Sequence, residues 1–137
     1  MIKHEETVKS PFSFGTLLLS ALKGTVWAYI FLIITFGILS AVYTYTSLPD
    51  SLVGTIVSVL TAMSLVFGGL FSSRNAHSFG WMHGALTGFF YTVIRIASGF
   101  AVFKSYVPDS SVASMFLSGI LLSALGGIIG INLSKNK

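Results

Sequence analysis

The amino-acid sequence predicts an all-α integral membrane protein, a four-transmembrane-helix bundle with a short N-terminal interfacial helix. Of its 137 residues, 53% are hydrophobic and 9% are charged, whereas a soluble domain carries roughly 25% charged residues. The mean hydropathy is +0.85. Four long apolar runs are joined by segments too short to hold a soluble domain. We therefore treat residues 1–137 as a single membrane domain.

The N-terminal region is predicted to contain a cytoplasmic tail, residues 1–9, and an interfacial helix, residues 10–22. A serine followed by proline at the start of that helix is a favourable N-terminus. A helix running straight on to Tyr45 would be ~52 Å long, more than a bilayer requires. We therefore expect a bend near Lys23 and Gly24, with the preceding helix along the membrane surface. The alternative is a longer, tilted first span.

The four spans are predicted at about residues 24–45, 53–71, 81–103 and 112–133. At ~1.5 Å rise per residue, each is close to the ~30 Å thickness of the hydrocarbon layer. Strands of a membrane barrel are shorter, ~9 to 11 residues, and alternate in polarity. These runs are continuously apolar and so indicate helices.

The orientation follows from the basic residues outside the spans, because cytoplasmic loops carry an excess of Lys and Arg. Only Lys104 lies in a loop on the other side. Six basic residues share the side of the termini, and these are Lys3, Lys9, Lys23, Arg74, Lys135 and Lys137. Both termini are therefore predicted to be cytoplasmic. The basic charge reflects topology and does not indicate nucleic-acid binding, since no basic domain exists to form such a surface.

The two outer turns contain the same three residues. The segment Pro49–Ser51 precedes span two, and Pro108–Ser110 recurs 59 residues later before span four. Both combine a proline that can begin a helix with side chains that can accept hydrogen bonds from its first amides. One interpretation is two duplicated helical hairpins related by an axis along the membrane normal. The alternative is that both turns use this sequence because it caps helices well.

Span three carries the clearest helix-packing pattern, small residues repeated at four-residue spacing. Glycine at this spacing allows two helix backbones to approach closely, a main route to association in lipid. On a helical wheel these glycines share one face. They are Gly80, Gly84, Gly88 and Gly99.

Two other spans carry small residues that could complement this face. Either would fit by spacing, and an interface with another subunit is equally compatible. The candidates are Gly119, Ser123 and Gly127 on span four, and Ser64 and Gly68 on span two.

A single charged residue, Arg95, lies within a span. A charge at this depth is unfavourable and requires a compensating partner. The helical wheel places Arg95 and Tyr91 on the glycine face, so we expect the guanidinium to face the bundle interior. Since no span contains Asp or Glu, Asp50 and Asp109 in the outer turns are the candidate partners. Arg95 is then either a structural pin or the cationic element of an intramembrane polar site.

No arrangement of residues indicates catalysis. The chain contains no cysteine, which excludes disulfides and thiolate metal sites. His77 and His83 are six residues apart, do not share a helix face, and lack further ligands. No nucleophile and base, paired carboxylates or phosphate-binding loop occurs at a recognisable spacing. We expect a non-enzymatic protein without a metal or cofactor.

The central third of the chain resembles a family of small four-span membrane proteins of Firmicute bacteria. A Gly-Gly pair closes span two within residues 67–74, a short basic loop follows, and Gly80 with Trp81 opens span three. Glycines at four-residue spacing come next, as far as Tyr91. The family is a domain of unknown function, so the resemblance implies a multi-pass protein of the bacterial plasma membrane. It implies no activity and no catalytic residues.

Two functions fit these observations. The first is a subunit or assembly partner in the lipid bilayer, associating with itself or with another membrane protein, for which packing faces and short loops suffice. The alternative is a small oligomeric transporter or channel for an anion or a lipid-like substrate, which would use Arg95. The absence of an intramembrane carboxylate argues against a cation-coupled carrier.

Overall fold

The computed structural model of the protein describes residues 13–76, 78–104 and 109–136. Every secondary-structure element in these residues is an α-helix. The bounds are Phe14–Tyr45 for α1, Asp50–Ser73 for α2, Gly80–Val102 for α3 and Ser111–Lys135 for α4. All four are long and apolar enough to cross a membrane. The predicted fold class, an all-α four-helix membrane bundle, is confirmed. The predicted tail, residues 1–9, lies outside the described residues.

The first helix differs from the prediction at its N-terminus. From Phe14 onward, the segment predicted as a separate interfacial helix forms the first turns of α1, one unbroken helix of 32 residues. At ~1.5 Å per residue, α1 is about 48 Å long. The helix continues through Gly24, which makes a close contact with α2. A Cβ atom at Gly24 would lie 2.6 Å from the carbonyl oxygen of Gly68 on α2.

The helices α2 and α3 form the central pair of the bundle, with α1 on one side of the pair and α4 on the other. The central helices contact each other, and both contact α1 and α4, whereas no described residue of α1 contacts α4. A twofold axis relating two duplicated hairpins would turn the α2–α3 contact into an α1–α4 contact. The structure therefore lacks the symmetry that the duplication hypothesis predicts.

Burial divides the bundle into two parts along its length. The packed half comprises residues 14–28, 64–73, 80–92 and 119–135, and the open half comprises residues 29–45, 50–63, 93–102 and 111–118. All 23 buried residues that the structure describes in the helices belong to the packed half, and ten of them are glycine. The helices thus approach closely at one end only.

The glycine stripe of α3 packs against α4. A Cβ atom at Gly84 would collide with the backbone carbonyl of Ser123, and one at Gly88 with that of Gly119. At the end of the stripe, a Cβ at Gly80 would lie 2.6 Å from the carbonyl oxygen of Gly127. The sequence left two candidate spans for this contact, and the structure places it on span four, inside one chain.

Three further close contacts, all between α2 and α4, were not predicted from the sequence. Between α2 and α4, a Cβ atom at Gly69 would collide with the Ser123 carbonyl, and one at Gly126 with the Val66 carbonyl. Further along α4, a Cβ at Gly130 would lie 2.5 Å from the carbonyl oxygen of Leu70. The adjacent glycine pairs 68–69 and 126–127 were a usable signal, because each pair can present one glycine to each of two neighbouring helices.

Candidate functional site

A cavity of about 200 Å³ lies between α2, α3 and α4, mainly in the open half. Its floor is formed by buried residues at the edge of the packed half, including Leu65, Tyr91 and Gly119. Three exposed residues line it, Ser58 on α2, Arg95 on α3 and Ser118 on α4. The cavity therefore begins where the close helix contacts end.

Tyr91 closes the cavity toward the packed half. It is the largest of the fully buried side chains in the described residues, with 2% of its surface exposed. Its ring stacks on the ring of Tyr29, with centroids 4.7 Å apart. The Tyr29 hydroxyl donates a hydrogen bond of 3.2 Å to the carbonyl of Tyr91. The two tyrosines thereby join α1 to α3 at the boundary between the halves.

Arg95 lies one helical turn beyond Tyr91 and is exposed. The helical wheel identified its face, since Arg95 and Tyr91 line the same cavity. The expectation that Arg95 faces a packed interior was wrong, because the three helices have separated at its depth.

The expected carboxylate partners of Arg95 are engaged elsewhere. Asp50 accepts a hydrogen bond of 2.8 Å from the hydroxyl of Tyr43. Asp109 accepts one of 2.7 Å from the backbone amide of Ser110. Within the described ranges, the Arg95 guanidinium makes neither an ion pair nor a hydrogen bond. Both aspartates lie at or just before helix starts, which explains why they do not reach it.

The polar groups around Arg95 are neutral hydroxyls. Those of Ser58, Thr61 and Thr92 each donate to the carbonyl four residues earlier in their own helix, at 2.8 to 2.9 Å. The Ser118 hydroxyl donates over 3.2 Å to the carbonyl three residues earlier. Arg95 is thus the one ionised group among the residues that line the cavity.

The depth and direction of Arg95 limit what it can reach. It lies seven residues before Val102, the last residue of α3, which is about 10 Å along the helix axis. Side chains in a helix point toward the N-terminus of that helix, so Arg95 starts in the direction of the packed half. Gly99, which the sequence placed in the packing stripe, lies in the open half and is only partly buried.

The two histidines considered as metal ligands are not among the residues that line this cavity. His83 is buried on α3, where its carbonyl accepts a hydrogen bond of 3.1 Å from the Ser72 hydroxyl. His77 lies outside the described residues. Across the described part of the chain, no three His, Cys, Asp or Glu residues cluster closely enough to hold a metal ion.

Comparison with known proteins places the chain in a family. Its sequence matches the family described as "Protein of unknown function (DUF3792)" over residues 17–130. It is 27% identical over 117 residues to the uncharacterized membrane protein YrzE of Bacillus subtilis (strain 168), an alignment that covers 85% of this chain and 77% of the relative. No solved structure matches it. The predicted resemblance to a family of small membrane proteins is thus confirmed, and the chain belongs to the DUF3792 family.

Proposed function

We propose that this multi-pass membrane protein is a non-enzymatic subunit or assembly partner in the bacterial plasma membrane, and that it binds another membrane protein through its open half. The observation that carries the proposal is Arg95, a charged residue within a span that has no ionic partner among the described residues. An intramembrane charge requires a compensating group. Association within the bilayer would supply one.

The division of the bundle supports the open half as the binding region. The α3 stripe packs against α4 within the chain, so it is not the partner surface. The packed half holds the four helices together through backbone contacts and leaves Ser58 on α2 and Ser118 on α4 exposed beside the cavity. A partner helix lying against the opening could place a side chain in the cavity without displacing any buried residue.

Photo-crosslinking in living cells tests this proposal. A photoreactive amino acid at Ser118, in the open half, should yield a discrete crosslinked protein, whereas one at Leu125 should not. Both positions are on α4 and both are exposed, but Leu125 lies in the packed half. The proposal fails if neither position gives a product, or if Leu125 gives the same product as strongly.

We further propose that both termini and the packed half face the cytoplasm, supported by the distribution of basic residues. Because the chain has no cysteine, single cysteines report the topology directly. A cysteine at Ser47, in the α1–α2 turn, should react with an impermeant maleimide in intact cells. A cysteine at Asn75, in the α2–α3 turn, should react only after permeabilisation. The reverse labelling pattern would show that the protein has the opposite orientation.

A second candidate function, the passage of an anion or a lipid-like substrate through a small oligomer, is favoured by one observation. The cavity combines Arg95 with hydroxyl groups, a composition suited to an anionic group. In one chain, however, Tyr91 closes its inner end. Flux of the anion through liposomes containing the protein should disappear in Arg95→Gln, and unchanged flux would eliminate this candidate.

A further inference from the structure

We infer that the cavity beside Arg95 receives a carboxylate side chain, Asp or Glu, from a transmembrane helix of a different protein. This inference rests on the proposed function and specifies the chemistry of the partner. The site joins a guanidinium without an ionic partner among the described residues to a cavity with exposed residues on two adjacent helices. Three independent properties of the site lead to a carboxylate on a foreign helix.

The first property is the pattern of hydrogen-bond donors. A guanidinium presents five N–H donors in a planar fork that matches a carboxylate with two parallel hydrogen bonds. In the described structure none of these donors is engaged. The surrounding hydroxyls already donate to their own helices and carry no charge. A carboxylate would accept two parallel hydrogen bonds from the guanidinium and would neutralise its charge in the same contact.

The second property is that neither aspartate among the described residues lies at the depth of Arg95. Asp50 and Asp109 lie at or just before the starts of α2 and α4, at the end of the bundle from which Arg95 is separated by about 10 Å along α3. A second copy in the same orientation presents these two aspartates at the same level. This placement favours an acidic residue from another sequence.

The third property is depth, which favours a side chain over a lipid phosphate, together with size, which favours a side chain over a separate small molecule. Arg95 lies about 10 Å inside the end of α3 and starts in the direction away from that end, whereas phosphates lie in the headgroup layer. The cavity holds about 200 Å³, less than the ~300 Å³ at which pockets for small molecules begin. A side chain from a helix beside α2 and α4 arrives at the right depth.

Model transmembrane peptides provide a direct test. Three Leu-Ala helices would be compared, with Glu, Gln or Lys at the depth of Arg95, each labelled for energy transfer to the full-length protein in phosphatidylcholine vesicles. We expect the Glu peptide to bind at least ~10-fold more tightly than the Gln peptide, because only Glu forms the charged bidentate pair. Arg95→Gln should abolish this preference, and Arg95→Glu should transfer it to the Lys peptide.

Several results would overturn the inference. It fails if the wild-type protein binds the Glu and Gln peptides equally, or if Arg95→Gln keeps the preference while its circular dichroism shows a folded helix bundle. A lipid phosphate is the occupant instead if phosphatidylglycerol vesicles remove the preference and native mass spectrometry shows that lipid retained only when Arg95 is present. If Ser118 crosslinks to a partner but no Glu preference exists, this inference fails alone. If Ser118 does not crosslink, the proposed function fails with it.

Discussion

The packed half and the open half are built from the same four helices, and the same residue type behaves oppositely in each. On α2, a Cβ atom at Gly68 would lie 2.7 Å from the Cβ of Ala28, whereas one at Gly54 would meet nothing within 4 Å. Gly37 on α1 likewise lies in open space. A glycine in a membrane helix therefore permits close packing only where a second backbone is present, and its occurrence alone does not locate a contact.

The buried residues, and not the exposed ones, distinguish the two halves. In the packed half the buried residues are mostly glycine, alanine, serine and threonine. Large apolar side chains point outward in both halves, since Leu125 is 56% exposed and Val102 is 71% exposed. Small residues bring backbones together in lipid, where burying apolar surface supplies little driving force. The boundary between the halves therefore lies where the buried small residues end.

The largest effect is expected from adding a methyl group at a backbone contact. Gly84→Ala should destabilise the bundle by about 2 kcal/mol, because the new Cβ would collide with the Ser123 carbonyl. The matched change Gly54→Ala should stabilise it by about 0.5 kcal/mol, because alanine favours the helix and nothing is in the way. Unfolding in mixed micelles, followed by circular dichroism, measures both. Changes of the same sign would contradict the division into two halves.

A smaller effect of opposite sign is expected at Ser123. Its buried hydroxyl has no hydrogen-bond partner in the described structure, so Ser123→Ala should stabilise the bundle by about 1 kcal/mol. Ser72 is the control, since its buried hydroxyl donates to the carbonyl of His83. Ser72→Ala should therefore destabilise the bundle by about 0.6 kcal/mol. A loss of stability in both variants would indicate that the Ser123 hydroxyl is hydrogen-bonded.

At the boundary between the halves, a single hydrogen bond should have a modest effect. Tyr29→Phe removes the 3.2 Å bond to the Tyr91 carbonyl while keeping the ring stack, and should cost about 0.6 kcal/mol. Tyr45 is 89% exposed, so Tyr45→Phe should leave the same unfolding curve unchanged. An equal shift in both variants would remove the proposed role of this bond in joining α1 to α3.

The smallest effect on stability is expected at the charged residue. Arg95→Gln should change the free energy of unfolding by less than about 0.5 kcal/mol, because the guanidinium makes no hydrogen bond or ion pair within the described residues. The same micelle assay measures it. A loss comparable to that of Gly84→Ala would show that Arg95 pins the bundle together, the structural role first considered from the sequence.

The sequence predicts the helices well and their contacts only in part. Continuous apolar runs place the spans because the bilayer requires a fixed length of apolar helix. The stripe through Gly80, Gly84 and Gly88 is equally visible. The helix that packs against this stripe cannot be identified from the sequence, because the small residues Ser64 and Gly68 on α2 have a spacing similar to that of the small residues on α4. In the structure Gly68 packs against Gly24 and Ala28, which leaves α4 for the stripe.

The candidate site shows a second limit. A helical wheel assigns Arg95 to a face but contains no information about whether another helix covers that face at that depth. Whether another helix covers this face depends on where the helices diverge, and that point is determined by the packing of several helices together. The same limit applies to α1, where a helical wheel contains no information about the close contact of Gly24 with α2.

The composition of the packed half also determines how much freedom the chain loses when it folds. Glycine and alanine have no side-chain rotamers to restrict, and serine and threonine have few. The helices therefore lock together at one end with little loss of side-chain entropy. Around the cavity, Met115 and Leu122 are only partly buried and keep much of their rotational freedom. A partner helix entering there would have to restrict it, at about 0.5 to 1.5 kcal/mol per side chain, so binding should be entropically opposed and its strength concentrated in the charge pair.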